Sequence, residues 1–124
     1  MSGLVHWVED VGEDWAAVLA ELTRAFNVSR SSAQGDDSIV YVIRQDDLLG
    51  RRGAGNAMVA CGLLSAARTA ALEGARKGWT ANVVAFDEAE RSAAEGWAHR
   101  LLDDGSVNGE LIRVGSGHIG KTLA

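Results

Sequence analysis

The strongest constraint on this chain is an alternation of two apolar patterns. SIVYVI at 38–43 and TANVVAF at 80–86 are short, continuous and rich in β-branched residues. Between them, over 55–76, lies a proline-free stretch crowded with small residues: Gly55, Ala57, Ala60, Gly62, Ala66, Ala67, Ala70 and Ala71. A run apolar at every position suits a strand buried on both faces, and such strands belong to sheets covered by helices. A helix between two of them carries the chain back to begin a parallel neighbour. The rest of the sequence repeats the theme. LVHWV at 4–8 reads as a strand, and Trp15, Val18, Leu19, Leu22 and Phe26 are spaced as one face of a helix over 14–30. That helix is entered through GED at 12–14, acidic as a helix start favours. Lys77-Gly78 stops the small-residue helix, 87–102 makes a third helix, and ELIRV at 110–114 closes the strand set. SSAQGDD at 31–37 and RQDDLLGRRG at 44–53 read as loops. The expected fold is α/β, a mostly parallel sheet of about four strands with three helices.

A chain of 124 residues, 47% apolar, is the size of one domain with its own core. Its net charge of -5, with Lys and Arg scattered, argues against a nucleic-acid partner, which needs clustered cations. The single cysteine, Cys61, allows no internal disulfide and points to a cytoplasmic protein. No apolar run reaches the roughly 18 residues of a membrane span, and no leader pattern opens the chain, so no membrane partner is expected.

Two glycine-rich stretches invite a nucleotide reading. GSGHIGKT at 115–122 fits G-x-x-x-x-G-K-T. That motif works through the N-terminus of a helix behind it, and here only Leu123 and Ala124 follow. GAGNAM at 53–58 lacks the third glycine of a dinucleotide turn and does not directly follow a strand, so it reads as a helix start. His6, His99 and His118 share no ligand spacing and are expected at the surface or in the tail; no metal is expected. Asp36-Asp37, Asp46-Asp47 and Asp103-Asp104 read as solvated turn residues, and Cys61 as a packed residue of its helix. Of Trp7, Trp15, Trp79 and Trp97, most should serve the core and one or two an interface.

In order, these stretches resemble the short-chain dehydrogenase/reductase family. NAMVACGLLSAARTAALEGARKGWTANVVAF at 56–86 is similar to the family's catalytic helix and the strand after it. VNGELIRVGSG at 107–117 resembles its last strand, DWAAVLAELTRAFNVSR at 14–30 the helix before its catalytic strand, and SIVYVI that strand. The resemblance implies a partial Rossmann-like sheet. It also implies where the chemistry would lie, and there the sequence departs. The Tyr and Lys of Tyr-x-x-x-Lys fall at Asn56 and Ala60, the catalytic Ser at Arg44 or, counted differently, at Ile43, and the proton-relay Asn at Glu21. The Pro-Gly beside the nicotinamide falls at Phe86-Asp87. An amide does not transfer protons near neutral pH. The family's first half, with its glycine-rich turn and ribose-binding acid, has no counterpart in these residues, and its substrate loop is replaced by 87–102.

The expectation is therefore a noncatalytic subunit that binds no cofactor. It would assemble with itself or with a full-length member of the family, as the equivalent helices do there. The small residues Ala16, Ala17 and Ala20 on the first helix and Ala57, Ala60, Ala67 and Ala71 on the second are the expected interface. The rivals are a contributor to a composite oxidoreductase site, chemistry built on Arg44, Asp46, Asp47 and Arg51, and a small-molecule binding module.

Overall fold

The computed structural model describes residues 3–115. Strands β1 (Gly3–Trp7), β2 (Ser38–Arg44), β3 (Ala81–Phe86) and β4 (Leu111–Val114) form one sheet in the order β1-β2-β3-β4. Every pairing is parallel, with Leu4 opposite Ile39, Tyr41 opposite Val83, and Phe86 opposite Val114. Helices α1 (Trp15–Gly35) and α3 (Ala54–Ala75) join the first three strands, and α4 (Arg91–Asp103), preceded by a 3₁₀ turn over Glu88–Glu90, joins β3 to β4. The alternating pattern thus produced the expected partial Rossmann-like α/β sheet, with two corrections. The stretch expected as a loop at 44–53 contains a one-turn helix, α2 (Gln45–Leu48), which makes four helices, not three. The stretch expected as a loop from 31 is helical through Gly35. Helix α1 runs on because Ser32, buried, donates its hydroxyl to the Asp37 carbonyl, and Asp36 ends the helix in the left-handed conformation.

Alternation along β2 and β3 divides two cores. Ile39, Tyr41, Ile43, Val83 and Ala85 face α1 and α3, packing on Val18, Ala25, Val59 and Leu63. Val40, Val42, Val84 and Phe86 face α4, packing on Ala94, Ala98 and Leu101. Two crossovers, through α1 and α3, pass over one face while stepping the same way across the sheet. The third, through α4, steps the same way over the other face. It therefore has the opposite hand, so at least one crossover departs from the strong right-handed preference of such units.

Two close approaches fix α3. A Cβ on Gly55 would collide with the Gly12 carbonyl and press on Val18, so glycine alone lets the start of α3 meet the loop before α1. At the other end a Cβ on Gly74 would strike the Trp79 ring and carbonyl. The Gly74 carbonyl accepts from the backbone N–H groups of Lys77, Gly78 and Trp79, which turns the chain into β3. Asn82, fully buried in β3, donates to the Val107 carbonyl and accepts from Glu110 N–H, holding the approach to β4.

Candidate functional site

In open parallel sheets, ligands gather outside the carboxyl ends of the strands. That end of this molecule holds every position at which the family resemblance places chemistry. Asn56, in the first turn of α3, is 3% exposed. Its carbonyl oxygen accepts from Val11 N–H at 3.0 Å, and its amide donates to Asp10 Oδ1 at 3.0 Å and to the Arg52 carbonyl at 3.1 Å. The Asn56 amide, with the Gly12 N–H, holds the Asp10 carboxyl below the usual carboxylate range. All of this polar capacity serves to clip the β1–α1 loop to α3. Ala60, one turn on, lies in the core at 1% exposure and offers no titratable group.

Arg44 ends β2. Its Nε donates to Glu88 Oε1 at 3.1 Å, and its guanidinium lies 5.9 Å from the Phe86 ring centre. Arg91 holds the same carboxylate with two bonds, at 2.6 and 3.0 Å, and lies over Phe86 and Trp7. The bonds from Arg91, then those from Arg44, pull the Glu88 carboxyl down to about 2. Arg52 joins Asp10 at 2.7 Å and Asp47 at 3.5 Å, and Arg51 reaches Asp46 at 3.3 Å. A crevice of about 320 Å³ opens between Arg44, Asp46, Arg52, Phe86 and Glu88. Both cations facing it already hold carboxylates. Among the described residues no hydroxyl, thiol or imidazole lines it, and its carboxylates, Asp46 and Glu88, are held by Arg51 and by Arg44 and Arg91.

Two buried groups here correct the sequence reading. Asp47, expected in a solvated turn, is 2% exposed; one of its oxygens has no hydrogen-bond partner among the described residues. Burial pushes its carboxyl above the usual range, against the pull of Arg52. His6, expected at the surface, is 1% exposed, with Nε2 3.0 Å from Glu21 Oε2. Arg24 closes on Glu21 at 2.8 and 2.9 Å and on the Trp7 carbonyl at 2.7 Å. Burial lowers the His6 pKa, the Arg24 charge adds to this, and the Glu21 carboxylate opposes it. The ring is neutral at pH 7 and donates from Nε2 to Glu21. Glu21, at the relay position, is thus a clamp between α1 and β1. The sequence signal for this lay in the strand: in LVHWV, His6 shares a strand face with Leu4, and in the structure Leu4 packs against the core that α1 covers.

The expected interface also separates into two groups. Ala60, Ala67 and Ala71 are buried against the sheet at 1%, 2% and 5% exposure, so the structure corrects their placement on a subunit-facing surface. Alanines let α3 lie close to the strands, so these serve the chain's own core. Ala17 and Ala57 are half-buried; Ala16 and Ala20 are exposed. The outer faces carry larger side chains: Trp15 at 60%, Leu19 at 47% and Phe26 at 63% on α1, Met58 at 51% and Leu72 at 75% on α3. Cys61, expected to be packed, is exposed on α3. Among the described residues no group of three or more His, Cys, Asp or Glu converges as a metal site, and no helix is long and apolar enough to cross a membrane. Most of the G-x-x-x-x-G-K-T match, residues 116–122 with His118, lies outside the described residues.

The architecture is that of a partial Rossmann-like α/β protein. Among solved structures it is similar to a Bacillus thuringiensis protein provisionally named a 3-oxoacyl-reductase, with a TM-score of 0.50 and 22% sequence identity. The match covers 83% of this chain and 52% of that one, so the chain spans about half the length of that structure. At this identity the likeness is one of fold alone. No family model matches the chain, and no curated protein matches it.

Proposed function

We propose that this chain is a noncatalytic subunit with a short-chain dehydrogenase/reductase-like fold. It assembles through the outer faces of α1 and α3, with a copy of itself or with a full-length active relative. One observation carries the reading: five large apolar side chains, Trp15, Leu19, Phe26, Met58 and Leu72, stand 47% or more exposed on two neighbouring helices of one layer. Large apolar side chains exposed together on one layer are what contact surfaces present. Fully burying one such side chain is worth about 1.5–3 kcal/mol. Five half-exposed ones on each of two subunits reach on the order of 10 kcal/mol, comparable with the 4–15 kcal/mol that association costs.

Two further features support it. The groups at the family's catalytic positions are an amide, an alanine, an ion-paired arginine and a clamped glutamate, each engaged in holding the fold. The outer edge of β1 has no strand beside it among the described residues, and an open parallel edge is normally covered.

Light scattering after size exclusion tests the reading. Wild type should elute as an oligomer, or bind a purified full-length short-chain dehydrogenase from its host. Leu19→Arg and Met58→Arg, each on the outer face, should abolish that association while leaving the far-UV circular dichroism unchanged. Wild type that stays monomeric as its concentration is raised and binds no such relative would overturn it. So would outer-face arginines that leave the assembly intact.

A further inference from the structure

Helices α1 and α3 lie side by side on one face of the sheet and run in the same direction, since each returns the chain to a parallel strand. Each carries a row of residues on a common face: Trp15, Leu22 and Ser29, seven apart, on α1, and Met58, Gly62 and Ala66, four apart, on α3. The rows are level at their middles, where a Cβ on Gly62 would lie 3.9 Å from Leu22. At the starts of the helices the rows end in large exposed side chains, Trp15 at 60% and Met58 at 51%. Toward the other ends they run into a hole. A cavity of about 390 Å³ opens there between the helices, with Phe26, Ser29, Ala66 and Ala70 among its walls.

Knob and hole are the same distance from the middle. At 1.5 Å per residue, Trp15 and Ser29 each stand about 10 Å along α1 from Leu22, and Met58 and Ala66 each stand about 6 Å along α3 from Gly62. A two-fold axis lying across the outer face at that level, perpendicular to both helices, sets α1 antiparallel on α1 of a second copy and α3 on its α3. It carries Trp15 to the level of Ser29 in the second copy and Met58 to the level of Ala66, over the cavity, and it does so twice. Such an interface is isologous, with one patch serving both copies.

The charges suit the same operation. No charged residue is exposed on α1 from Trp15 to Asn27 or on α3 from Ala54 to Ala66. Arg24, half-exposed, is held by Glu21 and the Trp7 carbonyl. The centre of the face therefore meets its own copy without like charges opposed. Two charges border the cavity, Arg30 and Glu73. Arg30 lies eight residues after Leu22, and the axis brings it level with Asp14 of the second copy, eight residues before Leu22. Glu73 lies eleven residues after Gly62, and it comes to the end of the second copy that carries Arg51, eleven residues before Gly62. Both encounters join opposite charges.

We propose that the partner on this face is a second copy of the chain, related by such a two-fold axis, and that Trp15 of each copy enters the cavity of the other with Met58 beside it. This rests on the assembly reading and narrows it: the cavity is incomplete in one chain and is completed by a copy, not by a full-length relative.

Sedimentation equilibrium of the full chain over a concentration series measures the dimer dissociation constant. Wild type should form a dimer and nothing larger. Ala66→Phe, at an exposed position, fills the hole, and Trp15→Ala removes the knob. Each should weaken the dimer at least tenfold with the far-UV circular dichroism unchanged. A filled hole leaves no room for Trp15, so adding Trp15→Ala to Ala66→Phe should tighten the dimer at least tenfold over Ala66→Phe alone. Cys61, the only cysteine, is exposed one residue from the level of the axis. A short bis-maleimide should therefore join two wild-type copies covalently and leave Ala66→Phe uncoupled at the same concentration. Wild type that binds a full-length short-chain dehydrogenase from its host but does not self-associate would overturn the two-fold partner and leave the assembly reading standing. A wild-type dimer that Ala66→Phe does not weaken, or a double variant whose losses simply add, would overturn the filling of the cavity and again leave assembly standing. Wild type that neither self-associates nor binds such a relative overturns both.

Discussion

Replacing Asn56 with alanine tests whether the position of the family's tyrosine has become a structural joint. Three interactions disappear at once. Val11 N–H, in a residue 6% exposed, loses its acceptor at 3.0 Å. A buried donor stranded in this way costs about 1–3 kcal/mol. The bond to the Arg52 carbonyl is worth about 0.5–1.5 kcal/mol in an ordinary setting. The bond to Asp10 is charge-assisted, but Asp10 is 58% exposed, so it deserves no more than an ordinary bond, about 0.5–1 kcal/mol. The sum is about 3 kcal/mol, and for a domain of this size that corresponds to a melting temperature lower by roughly 10 °C. Urea unfolding followed by circular dichroism, at one fixed protein concentration, measures it; the midpoint should fall while the slope is unchanged. The pH dependence adds a signature. Asn56 heads the causes that hold the Asp10 carboxyl down. A carboxyl depressed in the folded state stabilises above its unfolded pKa, near 3.9, and that contribution is lost as pH falls through the folded value. The penalty of Asn56→Ala should therefore shrink as pH drops below about 4. A loss within about 0.5 kcal/mol of zero at neutral pH, the scale of an ordinary surface substitution, would refute the reasoning.

His6 is held neutral by burial, with its pKa below the ordinary value near 6.5. Its contribution is complete above that unfolded value and is lost as pH falls toward the folded one, so stability by urea unfolding should decline below about pH 6.5, and His6→Gln should flatten the decline. Asp47 has the opposite sign: burial raises its carboxyl, so its contribution is complete at low pH and is lost as pH rises through the folded value. Asp47→Asn should raise the melting temperature at pH 7 and leave it nearly unchanged near pH 4 (roughly the unfolded carboxyl pKa). Glu88, at about 2 through Arg91 and then Arg44, should titrate at a higher pH in Arg91→Gln, measured by ¹³C NMR of its carboxyl group.

Much of this molecule could be read from its residues in order. Continuous β-branched runs at 38–43 and 80–86 have only one comfortable environment, a sheet interior covered on both sides, and they became the central pair β2 and β3. The spacing of Trp15, Val18, Leu22 and Phe26 defined a helix, and the absence of a titratable group at Asn56 and Ala60 needed no coordinates. Local pattern failed where identity depends on a distant neighbour. His6 meets Glu21 fifteen residues on, and nothing near Asp47 in the sequence announces that α2 will bury it. The alanines of α3 failed for another reason. That helix is small or apolar nearly all round, so the pattern does not say which side meets the sheet. The tertiary structure chose the side carrying Ala60, Ala67 and Ala71 for the core, and left Met58, Cys61 and Leu72 outside. It also placed α4 on the face opposite α1 and α3. Periodicity states that a helix has an apolar side. Both faces of a sheet of Val, Ile and Ala offer that side the same welcome, so only the packing of the whole chain decides between them.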